Sequence, residues 1–294
     1  MKKRVWAIGA AVMMMGVLTA CSGGAGSKET SAQTEGSKAE STQAAASEGG
    51  EETKQAAGEN QASEGTFTVG FDQDFPPMGF VGEDGEYTGF DLELAQETAK
   101  RLGLTYVAQP IAWDAKNMEL ESGNIDCIWN GFTMTGREDE YTWSAPYMEN
   151  SQVVVVMEDS GIETLADLAG KIVEVQADSS AEAALKEMTD LTSTFGTLQT
   201  TPDYNTAFMD LEMGSVDAIA MDVIVAGYQM QEREGNFKIL DETLASEEYA
   251  IGFKKGNTEL CEKVQKTLEE MAEDGTMAEI SKKWFGEDIT TIGK

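Results

Sequence analysis

The sequence predicts an α/β fold of two lobes, with a mostly parallel sheet in each lobe and a cleft between the lobes. Three observations support this prediction. Strand-like apolar segments alternate with segments of helical periodicity, which is typical of parallel sheets covered by helices. An eleven-residue segment at 118–128 recurs in similar form at 209–219. The 229 residues from 66 to 294 are enough for two hydrophobic cores.

The first 20 residues predict a secretory signal peptide. Three basic residues at 2–4 precede an apolar run over 5–17 that is too short to span a membrane as a stable anchor. Small residues stand directly before Cys21 and resemble a lipobox, which predicts cleavage before Cys21 and a diacylglycerol on its sulfur. The alternative is an ordinary signal peptide that happens to contain a cysteine.

Residues 21–65 predict a lipidated cysteine followed by a disordered linker. Positions 22–65 contain no proline, no aromatic residue and no aliphatic residue larger than alanine. Such a segment cannot bury enough apolar surface to offset the entropy lost on ordering. We expect a flexible tether with a root-mean-square reach of about 35–40 Å.

Three strands can be assigned directly from apolar patterns. Thr66–Phe71 alternates Phe, Val and Phe with other residues and predicts a half-buried strand. The continuous apolar runs at Val153–Met157 and Ile172–Gln176 predict fully buried strands.

Two helices can be assigned from apolar residues at helical spacing. Asp91 is the expected cap of the first helix, and Gly103 follows its last turn as the expected stop. Thr258 is the expected cap of the second helix, which should stop near Gly275. Helices between strands complete the α/β pattern.

The internal repeat supports two similar lobes. Six of the eleven positions are identical between Met118–Ile128 and Met209–Ile219, and each copy predicts a helix end, a glycine turn and a buried strand. Coincidence in a common helix–turn–strand unit is the alternative. If the copies are equivalent, the strands end at Asn130-Gly131 and Met221-Asp222, and ligands of open α/β sheets bind beyond such carboxyl ends.

Composition excludes several functions. There are 21 basic and 53 acidic residues, and the formal net charge of −32 argues against binding nucleic acid or an anionic membrane surface. The chain has no histidine, which excludes Ser–His and Cys–His catalysis and histidine-ligated metal sites. Cys127 and Cys261 are expected to be buried free thiols, with a disulfide between them as the alternative. We predict no cofactor and no metal site.

Candidate ligand groups follow the first repeated strand. Gly131 offers a carbonyl, Thr133 a hydroxyl, and Arg137 a guanidinium that can hold a carboxylate through two parallel hydrogen bonds. For Arg137 the alternative is a surface ion pair with Glu138 or Asp139.

A second group of candidates follows the strands of the other predicted lobe. Ser179 and Ser180 follow the strand at Ile172–Gln176 and open a helix that should end near Met188, with Ser180 as its cap. The free N–H groups at such a helix start can bind an anion. Asp222 ends a buried strand and could bind an ammonium. Plain helix capping is the alternative for both the serines and Asp222.

Aromatic and acidic residues complete the candidates. Phe75 and Trp113 come just after predicted strands and could flank the apolar part of a ligand, with ordinary core packing as the alternative. Asp72 and Asp74 stand beside Phe75, either at the rim of the cleft or simply solvated.

The joint order of several motifs resembles the polar amino acid substrate-binding proteins of ABC importers, solute-binding protein family 3. The resemblance runs from about Thr66 to Asp288. The residues that carry it are Val69-Gly-Phe-Asp72, Phe75-Pro-Pro, Gly89-Phe-Asp91, Gly123-x-Ile-Asp126, Gly131-x-Thr133-x-Thr135, Arg137, Ser144-x-Pro146-Tyr147, Gly275-Thr276 and Lys283-Trp284-Phe285-Gly286.

The resemblance implies a type II periplasmic-binding-protein-like fold and a transport function. The protein would be a monomer, lipid-anchored on the extracytoplasmic face of the cell membrane. It would capture a free amino acid in the cleft by lobe closure and deliver it to an ABC permease and its ATPase. Lobe 1 would comprise 66–154 and 250–290 and lobe 2 would comprise 155–249, with crossings near Ser151–Met157 and Glu247–Ile251.

The resemblance also implies a role for each candidate residue. Arg137, helped by the N–H of Ser180, would bind the α-carboxylate. Asp222, the Thr133 hydroxyl and the Gly131 carbonyl would bind the α-ammonium. Phe75 and Trp113 would flank the side chain, and Asp72, Gln176 and Met221 would lie near it. Asn130 and Ser179 complete the implied ligand set.

The sequence departs from the family pattern at two places. One residue is missing in the turn before Arg137, and Asp178 stands where the family often has glycine. Asp178, Asp72 and Asp74 favour a neutral polar or cationic amino acid as the ligand.

Two alternative functions remain open. A sensor would use the same cleft with a signalling partner, and an enzyme would need a Glu or Asp as its catalytic group. Because no histidine titrates between about pH 5.5 and 8, we expect ligand binding to be nearly independent of pH in that window.

Overall fold

The computed structural model describes residues 65–294. The predicted signal peptide, Cys21 and the linker up to residue 64 lie outside the described residues. No helix of the described part has both the length and the apolar character needed to cross a membrane.

The first half of the described chain contains the elements β1 (Thr66–Phe71), β2 (Asp74–Phe75), β3 (Gly79–Val81), β4 (Tyr87–Thr88), α1 (Phe90–Leu102), β5 (Thr105–Pro110), α2 (Lys116–Ser122), β6 (Cys127–Ile128), β7 (Thr142–Trp143) and β8 (Met148–Met157). A short 3₁₀ helix, Trp113–Ala115, precedes α2, and a second, Leu165–Leu168, follows β8.

The second half contains the elements β9 (Ile172–Gln176), α3 (Ser180–Glu187), α4 (Thr189–Thr192), β10 (Thr197–Thr201), α5 (Tyr204–Glu212), β11 (Ala218–Asp222), α6 (Val223–Glu232), β12 (Phe237–Ile239), β13 (Ala245–Tyr249), β14 (Gly252–Phe253), α7 (Thr258–Glu273) and α8 (Thr276–Phe285). The strands predicted at Thr66–Phe71 and Ile172–Gln176 are confirmed with the same bounds, and the strand at Val153–Met157 is the second half of β8.

Two sheets of matching order form the two lobes. The first has the order β5-β1-β6-β14-β7, and the second has the order β10-β9-β11-β8-β12, with β13 pairing β8. The first three strands of each sheet are mutually parallel. In each sheet one strand, β14 in the first and β8 in the second, runs against the others. The prediction of a mostly parallel sheet in each lobe is therefore confirmed.

The strands β8 and β13 form an antiparallel ribbon between the two sheets. Gln152 of β8 connects this ribbon to β11 of the second sheet. It pairs with Ala245 of β13 on one side and with Asp222 of β11 on the other. The chain returns through β13 directly into β14 of the first sheet. The boundaries expected at 154/155 and 249/250 fall within β8 and at the end of β13, and they stay a prediction.

The two copies of the sequence repeat have the same local structure. Each copy ends a helix at a glycine with positive φ, 79° at Gly123 and 71° at Gly214, and then enters the third strand of its sheet. Asp126 and Asp217, identical in the repeat, each accept a backbone N–H of the neighbouring strand, β1 or β9, at 2.7 and 2.8 Å. The same residue therefore performs the same structural task in both lobes.

Three of the expected helix caps are displaced by one or two residues. The N-cap of α1 is Gly89, and the carboxylate of Asp91 points into the core. Ser179, and not Ser180, caps α3 by accepting the Glu182 N–H at 3.1 Å. Asn257 occupies the N-cap position of α7, so Thr258 is its first helical residue. Gly103 ends α1 as expected, with a φ of 69°.

The buried apolar residues of the described chain form three clusters, of which the smallest, around Ile128 and Phe132, belongs to the first lobe. One cluster joins the first sheet to α1, α7 and α8, and it continues through β8 to α5 and α6. A separate cluster covers the other face of the second sheet. Cys127 and Cys261 are both buried free thiols, as expected.

Candidate functional site

The strand ends that the sequence singled out meet at one place. Asp72, directly after β1, accepts a hydrogen bond at 2.6 Å from the Gln176 side-chain amide at the end of β9. The side chain of Asn205 in α5 donates to Asp74 of β2 at 2.8 Å. These bonds join the first lobe to the second, so the carboxyl ends of the two sheets face each other across a cleft.

Asp72 and Asn130 lie together at the bottom of this cleft. The Asp72 N–H donates to the Asn130 side-chain oxygen at 2.8 Å, and the Asp72 carboxylate accepts the Asp74 N–H at 2.9 Å. Burial raises the pKa of Asp72 to about 6, against the opposing effect of its hydrogen bonds. The buried Asn130 Nδ2 has no partner among the described residues, so it is a free donor beside Asp72.

Gly131 occupies a position that no other residue could fill without strain. Its φ is +55°, and a Cβ here would lie 3.0 Å from the Phe75 ring and 3.1 Å from the Tyr249 ring. Its N–H donates to the buried Asp91 carboxylate at 2.6 Å. Burial raises the pKa of Asp91 to about 7. Asp91 therefore holds the segment after β6 in place from the core side. The sequence analysis did not recognise this role of Asp91.

Thr133 and Ser180 connect the lobes at the centre of the cleft. The Thr133 hydroxyl is 3.1 Å from the Ser180 hydroxyl. Ser180 Oγ also lies 2.9 Å from the side-chain nitrogen of Gln152. Because Ser179 serves as the helix cap, the Ser180 side chain is left to face the other lobe.

The guanidinium of Arg137 makes few contacts within the protein. It is half-buried, donates to the Thr133 carbonyl at 3.3 Å, and lies 5.5 Å from the centre of the Phe132 ring. Among the described residues it forms no ion pair, so the alternative of a surface pair with Glu138 or Asp139 is not realised. The side chain is held beside the cleft with its charge unneutralised.

Asp222 stands at the N-cap position of α6, but its side chain makes no capping hydrogen bond. Instead its Oδ1 accepts from the side-chain amides of Asn150 at 2.8 Å and Gln152 at 2.7 Å, and from the Tyr249 hydroxyl at 2.6 Å. The capping alternative is therefore wrong, because the carboxylate turns toward β8 and β13. Burial and the nearby charge of Glu247 raise the pKa of Asp222 to about 7.

Glu247 is the main residue of this region that the sequence analysis missed. It lies on β13, is 7% exposed, and accepts hydrogen bonds from Thr133, Asn150 and Gln152. A signal was present, because Glu247 and Tyr249 stand two residues apart and so share one face of a strand. The burial of Tyr249 implies that this face is the inner one.

The two aromatic candidates lie at different depths. Phe75 is buried, with its ring centre 6.0 Å from that of Tyr204 in the other lobe. Trp113 is half-buried and packs edge-on against Phe132 at 5.6 Å. Trp113 also lines a cavity of the cleft together with Asp72. Aromatic rings are therefore available at both the floor and the rim of the cleft.

A second missed contact joins the lobes at the start of α3. The Lys116 ammonium forms a salt bridge with the Asp178 carboxylate and donates to the Asp178 carbonyl at 3.0 Å. It also lies 4.9 Å from the centre of the Trp113 ring. Burial lowers the pKa of Lys116, and Asp178 opposes that shift. Asp178 is the single non-glycine residue of the described chain with positive φ, at 57°.

Two cavities remain on either side of the contacts across the cleft. One, of about 340 Å³, has an acidic wall formed by Asp72, Asp74, Asp114 and Asp203. The other, of about 490 Å³, is lined by residues that include Lys116, Arg137, Ser180 and Glu247. Within residues 65–294 no group of three His, Cys, Asp or Glu side chains is arranged to hold a metal ion.

The geometry of the cleft argues against the expectation of pH-independent binding. It rested on the lack of histidine, but the carboxyls of Asp72 and Asp222 titrate near pH 6 and 7 because they are buried. We therefore expect ligand affinity to change within the window from about pH 5.5 to 8.

The sequence pattern of the bacterial extracellular solute-binding proteins, family 3, matches residues 67–287. The chain belongs to this family. This family 3 protein is 34% identical over 229 residues to the L-cystine-binding protein TcyJ of Escherichia coli (strain K12), covering 77% of this chain and 85% of TcyJ. It is also 34% identical over 230 residues to the L-cystine-binding protein TcyA of Bacillus subtilis (strain 168), covering 77% of this chain and 83% of TcyA.

A solved structure shows the same fold. The substrate-binding protein of an ABC uptake transporter from Streptococcus pneumoniae, with bound histidine, superposes on this family 3 protein with a TM-score of 0.74 and 36% sequence identity. The match covers 77% of this chain and 94% of the other. The predicted type II periplasmic-binding-protein-like fold, with its ligand cleft between the lobes, is confirmed.

Proposed function

We propose that this protein captures a free amino acid in the cleft between its lobes and delivers it to an ABC importer. The α-carboxylate would bind Arg137 and the N–H of Ser180 at the start of α3. The α-ammonium would bind Asp222, the Thr133 hydroxyl and the Gly131 carbonyl. Phe75 and Trp113 would flank the side chain, with Asp72, Asn130, Gln176, Ser179 and Met221 around them.

One observation carries this proposal: opposite charges stand unneutralised on either side of Thr133. Arg137, without a carboxylate partner in the described part of the chain, donates to the Thr133 carbonyl. The Thr133 hydroxyl donates to Glu247, which shares its donors with Asp222. An amino acid zwitterion carries the matching pair of charges on one carbon atom.

The substrate class follows from the cleft walls and from the relatives. The acidic cavity beside Asp72 favours a ligand with a neutral polar or cationic side chain. TcyJ and TcyA are named as L-cystine-binding proteins, and the Streptococcus pneumoniae protein holds histidine. L-cystine, L-arginine and L-histidine are therefore the first ligands to test.

The test is a thermal-shift screen of the purified protein against the common L-amino acids and cystine, after partial unfolding and refolding to remove any carried-over ligand. A ligand at 100 times its Kd should stabilise the folded state by about 2.7 kcal/mol, which raises Tm by several degrees. One or a few ligands with a clear shift are expected. No shift with any amino acid would refute the proposal and favour a sensor of another solute, or an enzyme.

Delivery at the membrane is the second half of the proposal. We infer that a diacylglycerol on Cys21 anchors the monomer to the extracytoplasmic face, where the linker lets it reach the permease. A Cys21→Ala variant should then leave the membrane fraction and appear in the soluble extracytoplasmic fraction or the medium. If the variant stays with the membrane as firmly as the unchanged protein, the lipid anchor is refuted.

A further inference from the structure

Glu247 is not among the residues assigned to the ligand above, yet its side chain faces the cleft. Its Oε1 accepts hydrogen bonds from Thr133 Oγ1 at 2.9 Å, Asn150 Nδ2 at 2.6 Å and Gln152 Nε2 at 2.8 Å. It is 7% exposed. A buried carboxylate on a strand that joins the lobes requires a physical explanation, because burying a charge without a counter-charge is costly.

Glu247 and Asp222 share the same two hydrogen-bond donors. The Asn150 amide nitrogen lies 2.6 Å from Glu247 and 2.8 Å from Asp222. The Gln152 amide nitrogen lies 2.8 Å from Glu247 and 2.7 Å from Asp222. Two carboxylates around common nitrogens are within the distance, about 4–6 Å, at which like charges disfavour each other.

The surroundings of this pair have too many acceptors and too few donors. Only Oδ1 of Asp222 and Oε1 of Glu247 accept hydrogen bonds from described residues. The side-chain oxygens of Asn150 and Gln152 are also buried without a partner. No lysine or arginine of the described chain forms an ion pair with either carboxylate. An ammonium group, with three donors, one positive charge and no acceptor, supplies what is missing.

Charge balance favours a proton when no ammonium is present. Two buried carboxylates that share donors repel each other when both are ionised and no cation contacts them, so one of them holds a proton near and below neutral pH. Burial and the charge of Glu247 raise the pKa of Asp222 to about 7, in agreement with this reasoning. A bound ammonium would remove the need for that proton.

We propose that Glu247 and Asp222 together bind the ammonium group of the ligand, and that its binding displaces one proton from the carboxylate pair to solvent. The inference rests on the proposed function, because it assumes an amino acid in the cleft. It adds Glu247 as a ligand-binding residue contributed by a crossover strand, and it makes affinity depend on pH. Below the titration range of the pair the proton must be released, so affinity falls as pH falls, by about tenfold per unit.

Other titratable groups face the pair from the neighbouring elements. Burial raises the pKa of Tyr249 and of Tyr204 well above the usual value, so both stay neutral at all relevant pH values. Arg137 lines the same cavity as Glu247 and keeps its charge. Asp72, whose pKa is about 6, is the remaining source of a proton, and a variant of Glu247 separates the two sources.

The experiment is isothermal titration calorimetry of the purified protein at pH 6.0, 7.0 and 8.0, in buffers of different ionisation enthalpy, which counts the protons released. The probes are L-arginine and L-cystine, or, if neither binds, the non-histidine amino acid with the largest thermal shift. We expect nearly one proton released per ligand at pH 6.0 and almost none at pH 8.0. We expect Kd to be about tenfold higher at pH 6.0 than at pH 8.0.

Glu247→Gln removes one carboxylate and should weaken binding at pH 8.0 about 10- to 100-fold, the loss of one or two charge-assisted hydrogen bonds. It should also reduce proton release at pH 6.0 to less than half of the value for the unchanged protein. Glu248→Gln is the matched control, because it makes the same charge change at the exposed neighbouring residue. This control should leave both Kd and the proton count unchanged.

The outcomes separate this inference from the function on which it rests. If an amino acid binds but releases no proton at any of the three pH values, the shared proton is refuted and the function stands. If Glu247→Gln retains full proton release, the proton comes from another group, such as Asp72, and the inference is equally refuted. The proton count on the unchanged protein remains decisive even if the variant does not fold. If no amino acid binds, the proposed function fails, and this inference fails with it.

Discussion

Arg137 shows, at the scale of a single residue, how a side chain can be available for a ligand. Among the described residues its guanidinium makes one hydrogen bond, the 3.3 Å contact to the Thr133 carbonyl, and its contact with the Phe132 ring fixes its position without neutralising its charge. A structural arginine would be expected to hold a carboxylate of the protein, as Arg101 and Arg233 do.

We expect Arg137→Gln to weaken amino acid binding without lowering stability. Loss of a charge-assisted pair of hydrogen bonds should raise Kd at least 100-fold, while Tm of the ligand-free protein should change by less than about 2 °C, because no ion pair is lost. Arg137→Lys should restore part of the affinity, since a lysine keeps the charge but cannot form two parallel hydrogen bonds.

The control for Arg137 is Arg233→Gln, directly after α6. Arg233 pairs with Glu212 and lies over the Phe208 ring at 4.9 Å. This variant should lower Tm slightly and leave Kd unchanged. Equal losses of affinity in the two variants would contradict a binding role for Arg137.

Asp91, in contrast to Arg137, is wholly buried and stabilises the fold. Its carboxylate accepts hydrogen bonds from the Gly131 N–H at 2.6 Å and the Tyr147 hydroxyl at 2.8 Å, and its other oxygen has no partner. Burial raises its pKa from 3.8 to about 7. The folded state therefore binds this proton more tightly than the unfolded state does.

The sign of the resulting pH dependence follows from linkage. A carboxyl with a raised pKa in the folded state stabilises least at high pH, so its contribution is lost as pH rises from about 4 toward 7. Between pH 5 and 8 we expect the ligand-free protein to lose about 2–3 kcal/mol of unfolding free energy through Asp91. Asp91→Asn should flatten the plot of unfolding free energy against pH, measured by urea denaturation. The exposed Glu83→Gln should leave the slope as it is.

At the scale of elements, the two lobes are built on one unit. The sequence repeat places α2 before β6 and α5 before β11, and both units end at the cleft. Their equivalent aspartates, Asp126 and Asp217, bind the neighbouring strand and not a ligand. The residues that differ after the repeat, Gly131 in one lobe and Asp222 in the other, are the ones that face the cleft.

The contact between α2 and the start of α3 predicts an unequal effect of its two partners. The Lys116 side chain is 2% exposed and the Asp178 side chain is 53% exposed. Removing Asp178 leaves a buried cation unpaired in the closed state, whereas removing Lys116 leaves an anion that water can still reach. Asp178→Asn should therefore raise Kd about tenfold and Lys116→Met only a few-fold.

The double variant completes this test. If Lys116 and Asp178 act only on each other, the double variant should bind as Lys116→Met does, which a double-mutant cycle of calorimetric Kd values will show. A larger loss from Lys116→Met than from Asp178→Asn would mean that Lys116 contacts the ligand directly.

At the scale of the whole molecule, contacts across the cleft and the ribbon of β8 and β13 determine the motion. Asp72 with Gln176, Asp74 with Asn205 and Lys116 with Asp178 are polar contacts that water can replace when the lobes separate. The ribbon is part of the second sheet and leads directly into β14 of the first, so it would bend without breaking its pairing. We therefore expect a ligand that contacts both lobes to shift the population toward a closed form.

We expect the radius of gyration, measured by small-angle X-ray scattering, to decrease when a saturating amino acid is added. Arg137→Gln at the same ligand concentration should not show the decrease, because binding is lost. An unchanged radius with a ligand that calorimetry shows to be bound would contradict closure as the mechanism of capture.

Local patterns in the sequence determined a large part of this protein. The α/β class, β1, β9, the repeat with its two glycine turns and the strand ends at Gly131 and Asp222 all follow from apolar periodicity and turn residues. These features depend on neighbours in the chain, so the chain alone is enough to predict them. The order of motifs from Val69 to Gly286 also identified the family.

Only the tertiary structure decided what depends on distant residues. The pairing of Glu247 with Asp222 brings together side chains from two strands that both lie against β8, and the salt bridge of Lys116 with Asp178 joins two lobes. The burial that makes Asp72, Asp91 and Asp222 titrate near neutrality is likewise a property of the packed chain. Local sequence carries no signal for desolvation by distant residues, and for that reason the lack of histidine could not show which groups titrate near neutral pH.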